Sequence, residues 1–129
     1  MPQRLTPLAG LAQTLRHLSP RNSERQASGE TRLYYYRACI AASEERYDVA
    51  LVFAAKALQI APRDLATRLL VAQIHDRGQH DVERAIKGYE KVISLAGYDG
   101  GDPYCAAARQ ALDLLASAAT SASLGPPAS

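Results

Sequence analysis

The stretch YDVALVFAAKALQIAP, residues 47–62, decides the fold class. Val49, Val52, Phe53, Ala57 and Ile60 recur at steps of three and four residues, and Ala50, Ala54 and Leu58 widen the same side. That period belongs to a helix with one buried face, not to a strand. Pro62 ends it, because a proline can neither donate to the helical ladder nor fit inside it. Upstream, residues 31–43 hold Leu33, Tyr36 and Ile40 among the small residues Ala38, Ala41 and Ala42. Only Glu44, Glu45 and Arg46 separate the two runs, a connection so short that it predicts an antiparallel hairpin.

A second pair follows the same plan. Asp64 is placed to cap a helix whose apolar positions are Leu65, Leu69, Leu70, Ala72 and Ile74, with Gly78 as the expected residue just past its end. Asp81 caps the next helix and Glu83 lies in its first turn, where the helix dipole favours a carboxylate. Ala85, Ile86, Tyr89, Val92, Ile93 and Leu95 form its apolar side, and Gly97 stops it. After a Gly-rich turn, Asp102 and Pro103 begin a fifth strong helix, a cap followed by a first-turn proline. Its apolar side is Tyr104, Ala108, Ala111, Leu112 and Leu115.

The composition agrees with helices and limits the function. Ala and Leu dominate the apolar residues, and 129 residues suffice for one domain. Fifteen basic against thirteen acidic residues leave a net charge of +2, without the basic excess of a dedicated nucleic-acid binder. Nothing in the sequence approaches a membrane-spanning run of apolar residues. Two cysteines, Cys39 and Cys105, make neither a disulfide framework nor a zinc site by themselves.

The ends differ from the middle. Residues 1–30 read as an N-terminal amphipathic helix and linker. Leu8, Leu11, Leu15 and Leu18 share one face between Pro7 and Pro20, and Gly29 adds a further break. The first 23 residues carry Arg4, Arg16 and Arg21 and no acid. Such a segment has the character of an organelle transit peptide, or it is a helix that packs on the domain. The expected location is therefore the cytoplasm, with a mitochondrial or other organellar address as the alternative. No charge occurs after Asp113; residues 31–119 form the expected domain and 120–129 an expected disordered tail.

The two helix pairs are in register at one distance. Ala50 to Ala85 and Tyr34 to Leu69 are each 35 residues apart. Residues 31–64 resemble a tetratricopeptide (TPR) repeat. Tyr34 stands at the large aromatic position, Ala38 and Ala41 at packing positions and Tyr47 at the turn aromatic. Ala50 and Ala57 stand at the small contacts, and Pro62 at the close. Residues 65–98 resemble a second repeat through Gly78, Ala85 and Tyr89. They depart from it in a longer turn, in Val92 for a small residue and in Gly97 for the closing proline. The helix from Pro103 resembles a partial third repeat or a capping helix. The resemblance implies an all-α fold of antiparallel helical hairpins stacked as a short right-handed superhelix.

It also implies a function: protein–protein interaction, by a small adaptor or a chaperone-like escort that holds a peptide or helix of a partner in a concave groove. Groove positions carried over from the family are Arg32, Tyr35, Cys39 and Ser43 in the first repeat and Arg68, Ala72 and His75 in the second. Tyr35 and Cys39 stand where the family's carboxylate clamp has a basic residue and an asparagine, so no such clamp is expected. The alternative is a structural subunit built permanently into a larger assembly, such as an organellar complex. So short an array leaves apolar surface uncovered, and the N-terminal leucines, a second copy or a foreign partner would have to cover it.

Chemistry-bearing constellations are few. His75-Asp76 and His80-Asp81 flank Gly78 and do not share a helical face, so turn and cap roles are expected rather than metal ligation. Asp99 to Asp102 lacks the ligand set of a calcium loop. No phosphate-binding loop or nucleophile motif is present in the sequence. The expectation is a non-enzyme with no cofactor and no metal.

Overall fold

The computed structural model describes residues 20–124, with side chains described from 26 to 122. The expected helix Pro7–Leu18 and the end of the tail, residues 125–129, lie outside the described residues. The fold is all-α. Its elements are α1 (Pro20–Ser43), α2 (Tyr47–Ile60), α3 (Leu65–Gln73, continued by a π turn at Ile74–Gly78), α4 (Val82–Leu95) and α5 (Pro103–Leu124). No strand occurs among the described residues. The chain packs sequentially, α1 on α2, α2 on α3, α3 on α4 and α4 on α5. In addition α3 touches both α1 and α5, so it adjoins each of the other odd-numbered helices.

The first hairpin is joined through alanine. Ala38 and Ala41 of α1 and Ala50, Ala54 and Ala57 of α2 are buried. Short side chains on both helices let the two backbones approach closely along their length. The connection 44–46 is as short as expected, and it is closed by a double bond pattern. Glu45 N–H donates to the Ala42 carbonyl and Arg46 N–H to the Ala41 carbonyl. That Schellman arrangement needs a left-handed residue, and Glu45 supplies it at φ 61°. The same motif ends α4, where Gly97 takes the left-handed position at φ 69° and Tyr98 N–H reaches the Ile93 carbonyl.

The second hairpin closes against α5. Leu69 and Ala72 of α3, Ala85, Tyr89, Val92 and Ile93 of α4, and Cys105 and Ala108 of α5 make the larger buried cluster. Two of its helices come close at Gly88. A Cβ there would lie 2.8 Å from the Ala72 Cβ and 3.2 Å from its Cα. Tyr89 is 1% exposed, and its hydroxyl donates to Asp76 Oδ2 at 2.8 Å. Burial, then this hydrogen bond, push the phenol well above its usual pKa, while Arg77 opposes the shift. A smaller cluster of Ala41, Ala50 and Ile74, flanked by Tyr47 and Leu70, holds the two hairpins together.

Four caps and stops behave as the sequence predicts. Asp64 accepts from Thr67 N–H at 3.1 Å, Asp81 from Arg84 N–H at 3.1 Å and Asp102 from Cys105 N–H at 2.9 Å. Gly97 ends α4 as described. Gly78 corrects another expectation. It does not take the left-handed position past the end of α3; His80, at φ 54°, does. Gly78 is small because the Tyr47 ring lies over it, with the ring's Cε1 2.6 Å from where a Cβ would stand.

Two boundaries also move. The linker expected before residue 31 is helical from Pro20, with Gly29 inside α1 and open space where its Cβ would be. A helical glycine costs about 1 kcal/mol relative to alanine, which a 24-residue helix packed along one side absorbs. At the other end α5 continues through residues 120–124, expected to be tail. Ala and Ser carry it, and neither residue breaks a helix.

Two substitutions test this account. Replacing Glu45 by glycine removes a left-handed strain worth roughly 1 kcal/mol and is expected to raise the thermal midpoint by about 4 °C or more. Gly88→Ala adds a methyl at the tight α3/α4 contact and is expected to destabilise by about 1–3 kcal/mol in urea denaturation, despite the better helix propensity of alanine. A neutral or stabilising Gly88→Ala would show that the α3/α4 contact is looser than described.

Candidate functional site: a cavity beside the odd-numbered helices

A cavity of about 640 Å³ opens where α1, the α2–α3 connection and the start of α5 meet. α1 contributes Ala27, Ser28, Thr31, Arg32, Tyr35 and Tyr36. The connection contributes Ala61 and Asp64, α3 adds Ala66, and α5 adds Tyr104. The size is that of a site for a peptide side chain or two. Its lining combines three alanines and two hydroxyl side chains with one guanidinium, one carboxylate and three phenols.

Local sequence explains how each group is held. On α1, residues 28, 32, 35 and 36 fall on neighbouring faces because the helix repeats every 3.6 residues. Thr31 lies between them, 5% exposed, and its hydroxyl donates to the Ala27 carbonyl at 2.7 Å. Asp64 is fixed by its capping role: Oδ2 accepts both the Thr67 N–H and the Thr67 hydroxyl. Arg68 Nε donates to the Pro62 carbonyl at 3.0 Å, which ties down the connection carrying Ala61 and Asp64. Pro103 and the Asp102 cap set the first turn of α5 and therefore the position of Tyr104.

Tyr35 is the most perturbed group of the cavity. Its phenol is pushed up to about 12, first by burial and then by the Cys39 side chain one turn further on. The Tyr104 phenol and the Asp64 carboxylate add smaller electrostatic effects in the same direction. The Tyr35 and Tyr36 rings are tilted by 52° with centroids 5.8 Å apart. The arrangement can receive an apolar or flat side chain on the Tyr35 ring. It offers the neutral Tyr35 hydroxyl as a hydrogen-bond donor and Arg32 as a partner for a carboxylate.

Of the seven groove residues carried over from the family resemblance, Arg32 and Tyr35 line this cavity and Cys39 borders Tyr35. Ser43 sits at the far end of α1, its hydroxyl donating to the Ile40 carbonyl at 2.7 Å. Arg68 serves the connection rather than the lining. His75 lies in the π turn, with Nδ1 2.9 Å from Gln79 Oε1. Ala72 is a correction. It is fully buried against Gly88, so it packs α3 on α4 and faces no groove. The small side chain expected to open a groove instead closes a helix crossing.

The sequence reading missed Ala27, Ser28, Tyr36, Ala61, Asp64, Ala66 and Tyr104 as lining residues. By sequence, Ala27 and Ser28 fall in the expected linker and Tyr104 on the apolar side of the last helix. Tyr104 is 38% exposed, and Cys105 beside it is the residue that enters the core. The signal for that rotation is present in the sequence: Cys105, Ala108 and Leu112 form a run of three- and four-residue steps that leaves Tyr104 to one side. Asp76 accepts from Tyr89, Asp81 caps α4, and no group of three ligating side chains occurs among the described residues.

Titration of the tyrosines tests the environment of Tyr35. Its raised pKa means that the folded state binds the proton more tightly than the unfolded chain. The stability it contributes is therefore complete below pH 10 and is lost as pH rises towards 12. Absorbance of tyrosinate should include a step near pH 12 that Tyr35→Phe removes, whereas a full tyrosine count titrating near pH 10 in the folded protein would refute a buried phenol.

No family model matches the chain, and no curated protein and no solved structure is significantly similar to it.

Proposed function

We propose that the chain is a protein–protein interaction module of TPR type, a small adaptor or chaperone-like escort that holds a segment of a partner against α1, α3 and α5. The observation that carries this reading is the cavity beside the odd-numbered helices, bordered by Arg32, Tyr35, Asp64 and Tyr104. The order of helix contacts is compatible with hairpins stacked as a short superhelix, since α3 adjoins both α1 and α5. The bound segment would present an apolar or aromatic side chain to Tyr35 and a carboxylate to Arg32. Tyr and Arg are the residue types that concentrate binding energy at interfaces. In this reading the protein is not an enzyme, and it acts without cofactor or metal. Its location is the cytoplasm or, if the basic N-terminal segment serves as an address, an organelle.

A second reading has its own support. Large apolar side chains are exposed on outer faces, among them Ile40, Val52 and Leu114 at 59%, 56% and 61%. Scattered over several helices, they suit a subunit built permanently into a larger assembly.

Affinity purification from the native source separates the two. The double variant Arg32→Glu/Tyr35→Ala changes two rim side chains and should leave the circular dichroism unchanged. Loss of each side chain is expected to cost on the order of 2 kcal/mol of binding, so an adaptor's partner should fall at least tenfold in recovery. A stoichiometric set of partners that survives the double substitution would overturn the adaptor reading in favour of the built-in subunit.

A further inference from the structure

The outer side of α1 carries an apolar seam. Leu33, Tyr36 and Ile40 are 48%, 55% and 59% exposed and lie opposite Ala38, which is buried against α2. Steps of three and four extend the row at both ends, to Gly29 and Gln26 before Leu33 and to Ser43 after Ile40, all of them exposed. That alternation is the spacing by which one helix meshes with another. Gly29 stands out in the row. A Cβ there would meet nothing within 4 Å, so no contact among the described residues requires a glycine. A glycine in a helix interior nevertheless costs about 1 kcal/mol relative to alanine.

The seam is complementary to itself when turned end for end. In an antiparallel helix pair, a residue that precedes a three-residue step faces one that precedes a four-residue step. Setting Leu33 level with the partner's Tyr36 fixes the other layers. Ile40 then falls level with the partner's Gly29, and Gln26 with the partner's Ser43, each twice by symmetry. Ile40 stands over the gap that glycine leaves, Leu33 and Tyr36 fill the centre, and polar pairs close both ends.

Charge selects the same register. Glu30 and Arg37 follow Gly29 and Tyr36, flank the row on one side and are exposed. In this pairing Glu30 comes beside the partner's Arg37, and Arg37 beside the partner's Glu30. Sliding the pair by seven residues sets Glu30 against the partner's Glu30 in one direction and Arg37 against the partner's Arg37 in the other. Like charges therefore oppose both neighbouring registers. Arg37 also borders, with Ile40 and Arg46, a hollow of about 290 Å³, which adds a second guanidinium on that flank.

We propose that α1 joins a second copy of the chain in an antiparallel pair, with Leu33 against the partner's Tyr36 and Ile40 in the gap at the partner's Gly29. The contact covers residues 26–43, about 27 Å of helix at 1.5 Å per residue. That is at the small end for a stable interface, so a dissociation constant on the order of 10 µM is expected. Tyr36 also lines the cavity beside the odd-numbered helices, so the partner's α1 runs along one edge of that cavity.

Sedimentation velocity of the isolated full chain, from about 1 to about 300 µM, tests this whatever the cavity holds. The wild type is expected to pass from monomer to dimer across that range. Gly29→Lys points a long side chain into open space in the monomer and into the gap for Ile40 in the pair. It should weaken dimerisation at least tenfold without lowering the thermal midpoint of the dilute monomer. Glu30→Arg and Arg37→Glu should each weaken the dimer, and the double variant Glu30→Arg/Arg37→Glu should restore it to within threefold of wild type. A chain that stays monomeric throughout, or a dimer untouched by Gly29→Lys, would overturn the proposal. A dimer that both single charge reversals weaken and the double variant fails to restore would overturn it as well, because the antiparallel register would then be wrong.

Discussion

Close approach of helices at small side chains is the constraint on which the other features depend. In the first hairpin it is spread over Ala38, Ala41, Ala50, Ala54 and Ala57. In the second it is concentrated at Ala72 and Gly88, where no additional methyl fits. Helices separated by such short side chains bury little apolar area per residue, so the hairpins need each other and α5 to complete a core. The largest fully buried side chain among the described residues, Tyr89, sits at that junction and has its hydroxyl satisfied by Asp76. A buried phenol without that partner would carry an unmet hydrogen bond, so the π turn that bears Asp76 belongs to the core as much as to the connection.

The link between the hairpins uses the same device with an aromatic partner. Tyr47 starts α2 and lays its ring over Gly78, at the end of the extended α3. Together with Ala41, Ala50, Ile74 and Leu70 it sets the offset between the two pairs. That offset brings α1 and α5 to the same side of α3 and leaves the cavity between them. The cavity is therefore a by-product of stacking, and its polar rim comes from groups already occupied with structure. Asp64 caps α3 and Tyr104 follows the cap of α5, while Arg68, outside the lining, ties the α2–α3 connection. Arg32 and Tyr35 are the rim residues whose side chains are least committed to holding the fold, which is why the binding reading rests on them.

Exposed ion pairs contribute little to this architecture. Arg46 with Glu44, Arg84 with Asp81 and Lys87 with Glu83 lie at 3.5–3.7 Å on open surface. Pairs of this kind are worth a few tenths of a kcal/mol and are weakened by salt. Lys56, 5.7 Å from the Tyr34 ring and 5.9 Å from the Phe53 ring, and Arg37, 5.9 Å from Phe53, lie within cation–π range of the aromatic residues of the first hairpin.

What the sequence determined by itself is local. Three- and four-residue apolar steps, the caps Asp64, Asp81 and Asp102, the stop at Gly97 and the short turn at 44–46 are all read from neighbours along the chain. Each depends on hydrogen bonds or periodicity within a few residues. The alanine contacts of the first hairpin were legible for a related reason: small residues spaced on one face of each of two adjacent helices have one sensible use. What only the tertiary structure decided is which helices meet and how they are rotated. Ala72 looks the same in sequence whether it opens a groove or seals a crossing, and Gly88 opposite settles the matter only once α3 and α4 are placed together. Gly78 reads as a helix stop until the Tyr47 ring, thirty-one positions earlier, is seen above it. Gly29 reads as a break until α1 is seen to continue through it. Rotation about a helix axis is set by contacts between distant segments, and no short-range pattern encodes it.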